Sequence, residues 1–209
     1  IQEELLEDIA VNYIQDKKGP IFIMMSAQNI DRLVTAQNIA DKTGRVFLQD
    51  IYTAQIAKSC GVLSDKARVF MTGGDKQYQQ LQQFNTVKIG KYAISKTPFL
   101  MCIRQSMKNY LAKLNDLVSF EGGVLFYGMW KGYMEQPEMK EFLDWMTSKG
   151  VKIHIDANIP ICRGLGSSAA LLVAGAMGIA ELLFPLVLFV LVTAYLVDGS
   201  FNPFLYFRF

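Results

Sequence analysis

Short apolar runs and amphipathic stretches take turns along residues 19–156, and this alternation limits the fold more than anything else in the chain. The runs are IFIMMS, RVFLQD, ARVFM, FLMCI, GGVLFYG and VKIHI. Continuous apolar runs of this length suit strands buried on both faces. Between them, apolar residues recur at helical spacing. Ile30, Leu33, Val34, Gln37 and Ala40 share one face, and Gly44 stands where that helix would end. YTAQIAKSC, KQYQQLQQF, SMKNYLAKL and MKEFLDWMTSKG read as further helices. Upstream, Leu5, Leu6, Ile9, Ala10 and Tyr13 predict the apolar face of a first helix, which KKGP interrupts. Buried strands alternating with helices give the α/β class. We expect a mostly parallel, doubly wound sheet with helices on both faces, followed by an apolar C-terminal helical segment.

Charge divides the chain. Its 209 residues carry a formal net charge of +2, too small to argue for nucleic acid by itself. Past Gly164 the charged side chains are Glu181, Asp198 and Arg208, a shift that marks a boundary. The expected organisation is an N-terminal helix over 1–18, an α/β domain over 19–156, and a Gly/Ser loop with an apolar segment over 157–209. Cys60, Cys102 and Cys162 are odd in number and form no CxxC pair, so neither a disulfide framework nor a structural zinc site is expected. The stretch IQEELLEDIA has no basic or apolar leader region, so the expected location is cytoplasmic. Residues 169–197 are almost wholly apolar and long enough to cross a bilayer of about 30 Å. The other reading is a buried core helix plus a strand, since Glu181 and Pro185 both weaken a span. Membrane association through this segment is therefore a candidate.

In parallel sheets ligands gather at the C-terminal ends of the strands. The turns there are SAQNIDR, QDIYTA, RQSMKN and GMWKGY. Ser26 and Asn29 can cap a helix whose N-terminus could receive an anion. GMWKGY sets two aromatics, a lysine and two glycines just after a strand, a mix suited to bases or sugars. The stretch from IFIMMSAQNIDR to LQDIYTAQI, then FLMCIRQSMKNYLAKL and GGVLFYGMWKGYMEQPEMKEFLDWMTSKGVKI, resembles the β-CASP domain of metallo-β-lactamase-fold, ribonuclease J-like nucleases. Gly128 stands where that family often has Ser. The resemblance implies the nucleic-acid-binding part of a metal-dependent hydrolase that processes RNA or DNA. RNA or single-stranded DNA would be its partner, and a metallo-β-lactamase domain would lie beside it in a larger protein. It implies nucleic-acid contacts from Ser26, Asn29, Arg32, Arg104, Ser106, Trp130, Lys131 and Tyr133. The family's zinc chemistry needs several His and Asp ligands, and this chain has one histidine, His154. The H-x-H-x-D-H motif is absent and HIDANIP replaces H-T-S-G-H, so no metal, no cofactor and no catalytic residue is assigned on that reading.

Further on, NIPICRGLGSSAALLVAGAMGIAELL, residues 158–183, resembles the phosphate-loop motif of the GHMP small-molecule kinases, the homoserine kinase group. That resemblance implies ATP and magnesium, with the nucleotide phosphates on Gly164, Gly166, Ser167 and Ser168. Glycines permit close backbone approach, a helix N-terminus offers free N–H groups, and the serine hydroxyls can reach phosphate or magnesium. The early substrate motif and the late Gly-rich motif of that family are not found in this sequence, so weak or absent ATP binding and no turnover are expected. The ending NPFLY resembles the N-P-x-x-Y of rhodopsin-like receptors, without six other spans. Three unrelated resemblances end to end read as a recombined, chimeric chain. A non-enzymatic, membrane-anchored protein is then a third reading of function.

Overall fold

The computed structural model describes residues 3–73 and 75–155. The chain divides into two units, Ile1–Gly164 and Leu165–Phe209, and the described residues belong to the first. In chain order the main elements are α1 (Glu3–Ile14), β1 (Ile21–Met24), α2 (Ile30–Lys42), β2 (Val46–Asp50), α3 (Ile51–Ser59) and β3 (Arg68–Phe70). Then come α4 (Asp75–Leu81), α5 (Lys91–Ile94), β4 (Phe99–Ile103), α6 (Lys108–Asn115), β5 (Val124–Tyr127), α7 (Pro137–Ser148) and β6 (Lys152–Ile155). The strands form one sheet in the order β3-β2-β4-β1-β5-β6, and every pairing is parallel. The α/β class and the doubly wound sheet expected from the sequence are therefore present.

The strands form where the sequence is apolar at every position. β1 is IFIM and β4 is FLMCI, each buried throughout, and they lie side by side in the middle of the sheet. Their side chains feed two cores. On one face Ile21, Ile23, Leu100 and Cys102 meet α1, α2 and α3 through Ala10, Ile14, Leu33, Ala36 and Ala57. On the other face Phe22, Met24, Phe99 and Met101 meet α6 and α7 through Leu111, Leu114, Phe142 and Met146. Fully burying one such large side chain stabilises the fold by about 1.5–3 kcal/mol, so the two cores outweigh any surface contact.

Helix ends follow local chemistry. Asn29 caps α2 by accepting from the Arg32 N–H at 3.1 Å. At the other end Gly44 takes φ +66°, and the Arg45 N–H returns to the Ala40 carbonyl at 2.8 Å, a turn that suits glycine. The Arg45 guanidinium, itself buried, donates to the Ile14 and Lys17 carbonyls and so satisfies the end of α1.

One expected face is corrected. Of Leu5, Leu6, Ile9, Ala10 and Tyr13, only Ala10 is buried, while Leu5, Ile9 and Tyr13 are exposed. The face that docks on α2 and the sheet carries Glu7, Ala10 and Ile14 instead. Glu7 can go inside because Lys42 Nζ lies 2.8 Å from its carboxylate and the Asn38 amide donates to it at 3.0 Å. On α2, Val34 is likewise exposed, and Ala36 and Ile39 take its place in the core.

Candidate functional site

Because all six strands are parallel, Met24, Asp50, Phe70, Ile103, Tyr127 and Ile155 end at one edge of the sheet. The connections leaving β1 and β2 turn to the face covered by α2 and α3. Those leaving β4 and β5 turn to the face covered by α6 and α7. In the sheet these strands interleave as β2-β4-β1-β5, so neighbouring strands send their loops to opposite faces. All eight residues assigned to nucleic acid by the sequence lie in or just after the turns at this edge.

The structure joins them into separate small groups. Ser26 is exposed, and its Oγ accepts from the Gln28 N–H at 3.4 Å. Asn29 and Arg32 meet in the α2 cap described above. Ser106 and Lys131 are exposed in short 3-10 turns after β4 and β5. Trp130 is 57% exposed and meets Tyr133 edge to face, with ring centroids 5.4 Å apart. The Trp130 ring lies across Gly132, where an added Cβ would fall 2.4 Å from it. The Tyr127 hydroxyl donates to the Trp130 carbonyl at 3.4 Å, which ties this aromatic pair to the end of β5.

Arg104 is placed by partners that sequence spacing did not single out. Its guanidinium pairs with Asp50 at the end of β2 and lies 4.9 Å from the centroid of the Tyr52 ring. Asp50 is buried, caps α3 through the Thr53 N–H at 3.3 Å, and accepts from the Thr53 hydroxyl at 2.5 Å. The Arg104 Nε is buried with no hydrogen-bond partner, so the pair uses only part of the guanidinium. The turn QDIYTA marked the place, but not that Asp50 would bind an arginine 54 residues away. Beside this pair, burial and then the Asp50 carboxylate push the Cys102 thiol up to about 12. It stays protonated at neutral pH and is no nucleophile.

Among the described residues no three His, Cys, Asp or Glu side chains gather as metal ligands would. His154 packs its ring against Tyr13 at 4.7 Å and Phe126 at 5.5 Å. No helix among the described residues is long and apolar enough to cross a membrane. Gly164, Gly166, Ser167 and Ser168, the apolar segment 169–197 and Cys162 lie outside the described residues.

A sequence model of the GHMP kinases N terminal domain matches residues 125–189. The match starts in β5, takes in α7 and β6, and runs through the GLGSSAA stretch, in agreement with the phosphate-loop resemblance. No curated protein matches the chain. The family match points to a kinase, a transferase. It overturns the reading of the chain as a β-CASP hydrolase of metallo-β-lactamase fold that processes RNA. That reading leaned on an alternation of strands and helices and on loop motifs at strand ends, and such architecture hosts many unrelated chemistries. The match also crosses Asp156, where the chimeric reading put a junction, so one family model reads both sides of it together.

Proposed function

We propose that this chain carries the nucleotide-binding part of a GHMP-type small-molecule kinase, with the ATP phosphates held by Gly164, Gly166, Ser167 and Ser168. The observation that carries the reading is the family match over 125–189, which contains the motif P-x-x-x-G-L-G-S-S-A-A from Pro160 to Ala170. Each residue type suits the task. The glycines let backbone N–H groups approach an anion closely, and two hydroxyls add donors to phosphate or ligands to magnesium. Magnesium, when bound with ATP, neutralises phosphate charge.

Calorimetric titration with ATP tests the proposal. The chain is expected to bind ATP, and Ser168→Ala to weaken binding about tenfold, the ~1.4 kcal/mol scale of one hydrogen bond to a charged group. ATP affinity that is absent, or unchanged in Ser168→Ala and in a Gly166→Val variant, rejects it.

A further inference from the structure

Positive charge is segregated along the chain. From Lys76 to Asn115 the sequence holds seven lysines and arginines and no aspartate or glutamate, so the remainder of this +2 chain is acidic on balance. Two of the seven are neutralised within the fold. Arg104 pairs with Asp50, and Lys108 Nζ lies 2.6 Å from the Glu141 carboxylate. Lys88, Lys91, Lys96 and Lys113 meet no carboxylate among the described residues. The contacts of the first three are neutral. Lys88 Nζ donates to the Asn85 side-chain carbonyl at 3.0 Å. Lys91 Nζ lies 5.3 Å from the centroid of the Tyr110 ring on α6, and Lys96 Nζ 4.2 Å from that of Tyr92. Each therefore keeps its charge.

The fold presents these groups together on fixed backbone. Residues 87–89 run along the outer side of β3, where the Ile89 N–H donates to the Val69 carbonyl at 2.9 Å. Buried Ile94 then pins α5 to the core that α6 shares. Lys91 meets α6 at Tyr110, and Lys113 stands one turn further along that helix. Tyr92, 68% exposed, lies among them. The adjoining α4 and its 3-10 turn show Gln79, Gln80, Gln82 and Gln83 to solvent rather than acids. Asp116, at the far end of α6, is the first carboxylate after the run and offsets at most one of the four ammonium groups.

We propose that this face of the unit docks on an anionic lipid bilayer. A cluster of unpaired lysines is drawn to a negatively charged leaflet, and an exposed tyrosine ring suits the headgroup layer. Lipid is preferred over other polyanions because of a second feature of the same chain. Residues 169–197 carry Glu181 as their one charged side chain, an apolar stretch for which a bilayer is a natural medium. An apolar anchor and a basic patch together make the pair of signals that holds a protein to a membrane stably.

The test is sedimentation of the full chain with vesicles of phosphatidylcholine alone or with about a third phosphatidylserine, at about 0.1 M salt. Any hold of the apolar stretch is common to both vesicles, so the patch is read as the preference for the anionic ones. A strong preference is expected, and raising the salt to about 0.5 M should abolish it. Each lysine near a charged leaflet is worth about fivefold, so Lys88→Gln, Lys91→Gln and Lys96→Gln together should cut partition onto anionic vesicles about a hundredfold. The triple Lys→Arg variant at the same positions should keep the preference. Lys140→Gln, Lys149→Gln and Lys152→Gln remove as much charge from exposed sites elsewhere and should change it less than about threefold. Circular dichroism checks that each variant folds. Equal partition on the two vesicles, or equal losses from the two triple Lys→Gln variants, overturns the proposal. So does tighter binding of the patch to duplex DNA or poly-glutamate than to anionic vesicles at the same salt, which would give this face to a different polyanion.

Discussion

At the scale of single residues, Asp50 does most to hold the C-terminal edge together. One buried carboxylate caps α3, accepts the Thr53 hydroxyl and pairs with Arg104. Asp50→Ala removes the cap and leaves the guanidinium without its partner. We expect a loss of about 2–3 kcal/mol by urea denaturation: ~1 for the cap, the rest for a half-exposed ion pair, below the cost of breaking a fully buried one. Arg104→Ala should cost less, because Thr53 still satisfies part of the carboxylate. None of this was legible beforehand, since nothing in local sequence ties residue 50 to residue 104. Glu7 makes a second residue-scale prediction. Burial alone would raise its carboxyl, but the Lys42 and Asn38 hydrogen bonds outweigh that and hold it below the ordinary carboxylate range. A carboxyl depressed in the folded state binds its proton first in the unfolded chain. Its contribution is therefore present above the ordinary range and is lost as pH falls through the folded value. Glu7→Gln should lower the urea midpoint at about pH 7, and the gap to the parent should narrow as the pH falls below the ordinary carboxylate range.

At the scale of elements, the strands were readable because they are apolar at every position. IFIM and FLMCI could be little else, and they became the two central strands, buried on both faces. The helices were readable as helices but not always as to which side goes in. Periodicity marks an apolar stripe; it does not say which neighbour the stripe meets. On α1 the stripe and the docking face differ, because Lys42 and Asn38 make a buried Glu7 tolerable and the small Ala10 allows close approach to α2. The difference is measurable. In dilute protein, Ile14→Ala should cost about 2–4 kcal/mol, the penalty for a cavity in a closed core, while Ile9→Ala should stay within about 0.5. Equal costs at the two positions would mean that the helix docks by the face the periodicity marked.

At the scale of the whole molecule, sequence pattern revealed the architecture more readily than the chemistry. A parallel sheet gathers polar and aromatic side chains at its C-terminal edge whatever it binds, so Trp130, Arg104 and Asn29 mark an edge without naming its ligand, and the hydrolase class drawn from them is what the family match overturned. The loop from Gly164 to Ala170 is a different kind of signal. There the residue types themselves, two glycines and two serines before an alanine pair, match the demands of a phosphate, and the family match covers them. The central claim is that ATP is held by this loop and not by the sheet edge. Amide hydrogen exchange with and without ATP tests it most directly. The account predicts slower exchange across residues 164–170 in the presence of ATP, lost in Ser168→Ala, with the amides of β1 and β4 unchanged. No ATP-dependent slowing at 164–170, or slowing confined to the start of α2 at Asn29–Arg32, would contradict it.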